Sequence, residues 1–112
     1  MSKRISINKK LVVDHHRALT TLAHIGPKRA LIIIDNSPEK LLHVLRILSK
    51  LLLDGSISLK KHHVEKLKKH KSLIRQISKS KGQKMKKILH QNGGSFFKTV
   101  LTTLLPLIPM LL

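Results

Sequence analysis

The sequence contains no cysteine, no tryptophan and no tyrosine, and only two phenylalanines in 112 residues. Without thiols there is no disulfide, no cysteine-held zinc and no thiol nucleophile, and the chain suits a reducing compartment. Without aromatic platforms, base stacking is excluded as the main way of holding a nucleic acid. Acids are also scarce: 5 Asp and Glu stand against 23 Lys and Arg, a formal charge of +18. Scattered carboxylates supply no acid–base pair and no Gly-rich phosphate loop follows a strand pattern, so the chain reads as non-enzymatic and without a cofactor. The first ten residues, MSKRISINKK, lack the apolar run of a secretory signal, which makes cytosol or nucleus the expected compartment.

Eight histidines raise the question of a metal. His15-His16 and His62-His63 are adjacent pairs, which point apart on a helix. His63 and His70 stand two turns apart, and there is no His-Glu-x-x-His pattern. No metal site is expected. Below neutral pH, His62, His63 and His70 would instead add charge to the lysines around them.

What the sequence does have is leucine, isoleucine and lysine. Apolar residues make up 41% of the chain, enough for helices to pack on one another. Leu11, Val12, Ala18, Leu19, Leu22, Ala23 and Ile25 keep the spacing of a helix face, and Gly26-Pro27 stops it. Leu31 to Ile34 reads as buried helix, since no second strand pattern exists to pair with it. Ser37-Pro38-Glu39 combines a capping side chain, a proline where the missing N–H is harmless and an acid in the first turn, so a helix is expected from Pro38 to about Leu53. Leu41, Leu45, Leu48 and Leu52 form its apolar face, widened by Leu42, Val44, Ile47 and Leu51. The pattern predicts an all-α fold, a small helical domain of four to five helices with a long Lys-rich helix and an apolar C-terminal segment. The expected divisions are a flexible basic arm (1–10), a leucine-rich helical domain (11–57), a basic helical region (58–92), and a Gly-Gly junction with an apolar tail (93–112).

The basic region dominates the chain. Between Ser58 and His90 stand Lys60, Lys61, Lys66, Lys68, Lys69, Lys71, Arg75, Lys79, Lys81, Lys84, Lys86 and Lys87, against the single acid Glu65. More than half of the net charge sits here, at a density that repels itself unless a polyanion neutralises it. Leu59, Val64, Leu67, Ile74 and Ile77 form an apolar stripe interrupted at Lys71. One long helix beginning at Ser58 could dock by that stripe and present its ammonium groups on the other side. These twelve residues are the candidate nucleic-acid-binding set. The binding is expected to be sequence-independent, with ammonium groups displacing counterions from phosphates of double-stranded DNA or of RNA.

Beyond Asn92-Gly93-Gly94 the composition changes. Phe96, Phe97, Val100, Leu101, Leu104 and Leu105 form an apolar face, with Lys98, Thr99, Thr102 and Thr103 towards the other side; Pro106 and Pro109 interrupt the remaining residues. The segment barely reaches the roughly 17 to 25 residues of a membrane span, so shallow insertion is the stronger membrane reading. Packing as the last core helix, against residues 41–53, is the competing expectation. Lys86 and Lys87, just upstream, would suit anionic headgroups.

A leucine-rich helix, a short turn, a Lys-rich helix and a basic segment leading to Gly-Gly come in order here, as LLHVLRILSKLLLDGSISLKKHHVEKLKKHKSLIRQIS and MKKILHQNGGSFF. From Pro38 to Leu112 this order resembles the precursors of adenovirus core protein X (mu) and the related proteins of Polinton- and adintovirus-type elements. The resemblance implies a virion protein that condenses double-stranded DNA, is found in the virion and host nucleus, and works beside other capsid or core proteins. It also implies cleavage by a maturation protease after Gly93-Gly94. That protease prefers a large aliphatic residue where Gln91 stands, a departure that leaves both a cleaved and a retained tail open. A membrane-active or tail-anchored protein acting on anionic lipid is the alternative function.

Overall fold

The computed structural model describes residues 9–37, 39–92 and 94–111. Helical backbone over residues 9–14 (α1) is followed by α2 (His16–His24), α3 (Pro27–Asp35), α4 (Glu39–Leu53), α5 (Lys61–Lys68), α6 (Lys71–Lys79) and α7 (Gly82–Gln91). The chain then forms a π-helical segment (Phe96–Leu101), a single turn α8 (Thr102–Leu104) and a 3₁₀ segment (Leu105–Leu111). The all-α class holds, with no strand among the described residues, but there are eight α-helical stretches instead of four to five. Residues 1–8 of the expected arm, the helix start at Pro38 and Gly93 lie outside the described residues, while Lys9 and Lys10 already belong to α1.

The extra helices come from two breaks. The first is at His15, whose N–H lies 3.3 Å from the Leu11 carbonyl and 3.2 Å from that of Val12. Val12 before this break and Leu19 and Leu22 after it are all buried in the core. The second, at Lys69-His70, divides the expected long Lys-rich helix. Its apolar stripe is interrupted at Lys71, so one straight helix has no continuous seam to bury. The two pieces accordingly find different neighbours: α6 runs along α4, and α5 rests on the π-helical segment and α8. Nor does α5 begin at Ser58. It starts at Lys61, where the His63 imidazole reaches back to accept the Lys60 N–H at 3.1 Å.

Helix α4 is the leucine-rich core helix, with Leu42, Val44, Leu45, Ile47, Leu48, Leu51 and Leu52 buried over most of its circumference. Leu41 is only partly buried. The Leu31 to Ile34 run is helical, as expected, but not buried throughout: Ala30 and Ile34, one turn apart, face inward while Ile32 and Ile33 are exposed, because a helix turns only one side to the core.

The apolar tail is core. Phe96, Phe97, Val100, Leu101, Leu104, Leu105 and Ile108 are all buried and belong to the same cluster as α4. Their positions repeat every four residues, which overruns the 3.6-residue turn by about 40° per repeat. A wider π-helical turn at the start takes up that drift and keeps both rows facing inward. The segment approaches α2, α3 and α5 most closely, a different set of neighbours from the leucine-rich helix expected from the sequence. No described helix is long and apolar enough to cross a membrane.

The turn into the tail depends on Gly94. It has φ of +78°, and a Cβ placed there would stand 2.5 Å from the Pro27 Cβ. Gly94→Ala therefore combines backbone strain with a clash between the start of α3 and the tail, and is expected to cost about 2 to 4 kcal/mol. Gly55→Ala, with φ of +80° but open space around it, should cost only about 1 kcal/mol. Urea unfolding of the two variants checks the difference.

Candidate nucleic-acid interface

The lysines are displayed by helices whose other sides are committed to the core. On α6, Leu73, Ile74, Ile77 and Ser78 are buried while Lys71, Arg75 and Lys79 are exposed. On α7, Met85, Ile88 and Leu89 are buried while Lys84 and Lys87 are exposed. The two helices pack on each other, so their outward charges adjoin. On α5 only Leu67 is fully buried, and Lys61, Lys66 and Lys68 face solvent. Lys60, Lys69 and Lys81 are exposed at the junctions.

Lys86 differs from the rest of the predicted set. It is partly buried, and its Nζ donates to the Asp35 carbonyl oxygen at 3.0 Å. His90 Nε2 lies 2.8 Å from the carboxylate of the same residue. Asp35 thus ties the end of α3 to α7, and Lys86 does structural work. For the other eleven, no ion pair with an acid occurs among the described residues.

The break at Lys69-His70 also leaves apolar surface open. Val64, read from the sequence as part of the buried stripe, is 50% exposed. It lines a groove of about 590 Å³ together with Leu52, Leu53, Leu59, Leu67 and Ile74, and with Lys61, Lys68 and Lys71. The stripe that looked continuous in sequence is therefore split between a buried half on α6 and a half-open one on α5.

On this surface His63 contributes less charge than a free imidazole. Partial loss of water around the His63 ring, then the neighbouring His62, Lys60 and Lys66, hold its pKa below the usual histidine value. It adds charge to this surface only in more acidic solution than a free imidazole would. No three potential metal ligands come together among the described residues.

Sequence reasoning missed part of the basic surface. Lys28 and Arg29 are exposed on α3, which packs against α7. Lys40, His43 and Arg46 lie on the side of α4 that turns towards the start of α7. Their three-residue spacing was visible, but in a leucine-rich helix it reads as an ordinary solvent face. Of the predicted tail residues, Phe96, Phe97, Val100, Leu101, Leu104 and Leu105 are all occupied by the core. At the predicted cleavage position Gly94 is buried, with its N–H 3.4 Å from the Leu89 carbonyl oxygen. The chain matches no protein-family model, no curated protein and no solved structure.

Proposed function

We propose that this chain is a non-enzymatic protein that binds and condenses double-stranded DNA without sequence specificity, through the lysines of α5, α6 and α7. The observation that carries the reading is the display of eleven basic side chains between Lys60 and Lys87 with no acid paired to them among the described residues. Uncompensated charge at this density is stabilised most simply by a chain of phosphates, whose counterions it releases. The side chains supply point charges with little aromatic or forked hydrogen-bonding character, which suits backbone contact and not base readout. The order of parts from residue 38 onward adds a setting: a core protein of an adenovirus-like element, acting in the virion and host nucleus beside other core or capsid proteins.

The membrane reading is weaker, because insertion would require the tail to surrender seven buried side chains to the bilayer. The test uses the full chain with fluorescent random-sequence and homopolymer duplexes, RNA duplexes, and anionic liposomes. Similar affinity for all DNA sequences, with aggregation of long DNA at charge neutrality, is expected. Binding to liposomes with none to duplex DNA or RNA would replace this function with the lipid one.

A further inference from the structure

A cavity of about 390 Å³ opens between the N-terminal half of α4 and the first turn of α7. Its size falls within the range of small-molecule sites. Lys40, His43 and Arg46 line it from α4, and Lys81, Gly82 and Met85 from the other side. The Arg46 Nη2 donates to His43 Nδ1, so that ring nitrogen serves as an acceptor and the imidazole carries no proton there. Arg46 Nε is buried and has no hydrogen-bond partner among the described residues, a state a folded protein leaves unresolved only for a reason. The single acid in the wall, Glu39, pairs with none of these cations among the described residues. Gly82, which opens α7 without a side chain, leaves the backbone of that first turn bare.

We propose that this cavity is a binding site for a dianionic phosphate group, such as that of a nucleotide, a polyphosphate or the 5′ end of a nucleic-acid strand. Lys40 and Lys81 supply point charges, and the Arg46 guanidinium supplies planar donors that suit phosphate oxygens. Concave walls in which Lys40, Arg46 and Lys81 outnumber Glu39 concentrate positive potential in the space where the anion sits. Of the lysines of α5, α6 and α7 and their junctions proposed for the duplex, only Lys81 lines this cavity, and the site does not depend on the others being used.

His43 reports on occupancy. Burial, then Arg46, Lys50 and Lys81, keep its pKa below the ordinary histidine value. The charged groups around it are Glu39, Lys40, Arg46 and Lys50 from its own helix and Lys81 from the start of α7. A dianion among them reverses the local balance and favours the imidazolium, so binding takes up a proton and tightens as the solution becomes more acidic.

The experiment titrates the full chain with pyrophosphate and follows the His43 ring resonance by NMR across pH, assigned with His43→Gln. Saturable binding at one equivalent is expected, with the His43 midpoint raised by about one pH unit. Lys81→Gln and Lys40→Gln should each weaken binding about tenfold, and Lys28→Gln, outside the cavity, should not. Pyrophosphate that fails to saturate, a stationary His43 midpoint, or equal losses in Lys28→Gln would each overturn the proposal. Competition arms identify the source: displacement by ATP assigns a nucleotide, and stronger displacement by 5′-phosphorylated than by 5′-hydroxyl duplex assigns a strand end. Displacement by neither, with pyrophosphate still saturating at one equivalent, assigns an inorganic polyphosphate. Duplex binding that persists while pyrophosphate fails removes this site and leaves the DNA-binding function standing.

Discussion

Raising the salt from 50 to 200 mM is expected to weaken binding of the full chain to random-sequence duplex DNA by about 10³- to 10⁵-fold. That range holds if about six to ten of the eleven free basic side chains displace counterions from phosphates. Lysine, which meets phosphate without a bidentate fork, adds little to offset the loss. The decisive variant replaces Lys61, Lys68, Lys71, Lys79, Lys84 and Lys87 with Gln. All six are exposed, so the fold is expected to survive, and circular dichroism will verify it. The slope of log affinity against log salt should shrink by about five, close to 0.9 for each phosphate no longer neutralised. Lys66, Arg75 and the junction lysines would then carry the residual binding. A slope that stays unchanged after six substitutions would show that the lysine surface is not where duplex DNA binds.

Phe97→Ala is expected to destabilise the protein by about 3 to 5 kcal/mol, the usual cost of emptying a buried phenylalanine site. Domains of this size are stable by about 5 to 15 kcal/mol in total, so this one change removes much of the margin. Its ring is 1% exposed and meets Phe96 edge-on, with centroids 5.8 Å apart. Ending the chain at Gly94 removes that pair and five further core side chains together. The truncated protein should show no cooperative thermal transition, measured by circular dichroism against the full chain. A truncated chain that still unfolds cooperatively near the full-length midpoint would contradict the tail's place in the core.

The position of the tail bears on cleavage as well. A protease needs its substrate extended and accessible, whereas Gly94 is packed beside Pro27. If the bond after Gly94 is ever cut, the domain must first open there. Cutting would then also release the tail from the helices that display the lysines. Charge display and tail retention are thus linked: the folded surface exists only while residues 96–108 fill the core. A DNA-binding assay on a chain ending at Gly94 would measure an unfolded polycation and not this surface.

The sequence by itself determined that the protein is helical, that α4 is its leucine-rich core helix, and that net positive charge is concentrated between residues 58 and 90. These properties rest on local matters: apolar spacing, the Gly26-Pro27 stop, the Ser37-Pro38-Glu39 start, and a plain count of ionisable groups. Only the tertiary structure decided that the basic helix breaks at Lys69-His70, since α5 and α6 seek different neighbours that no local pattern names. It also decided that the tail packs inside: the same apolar face suits lipid or protein, and the choice depends on the space left by α2, α3 and α5. For the same reason Lys86 could not be told from its neighbours by sequence. Its partner, the Asp35 carbonyl, lies fifty-one positions away, and only folding brings the two together. The cavity beside Arg46 was equally hidden, because α4 supplies half of it and the start of α7 the rest.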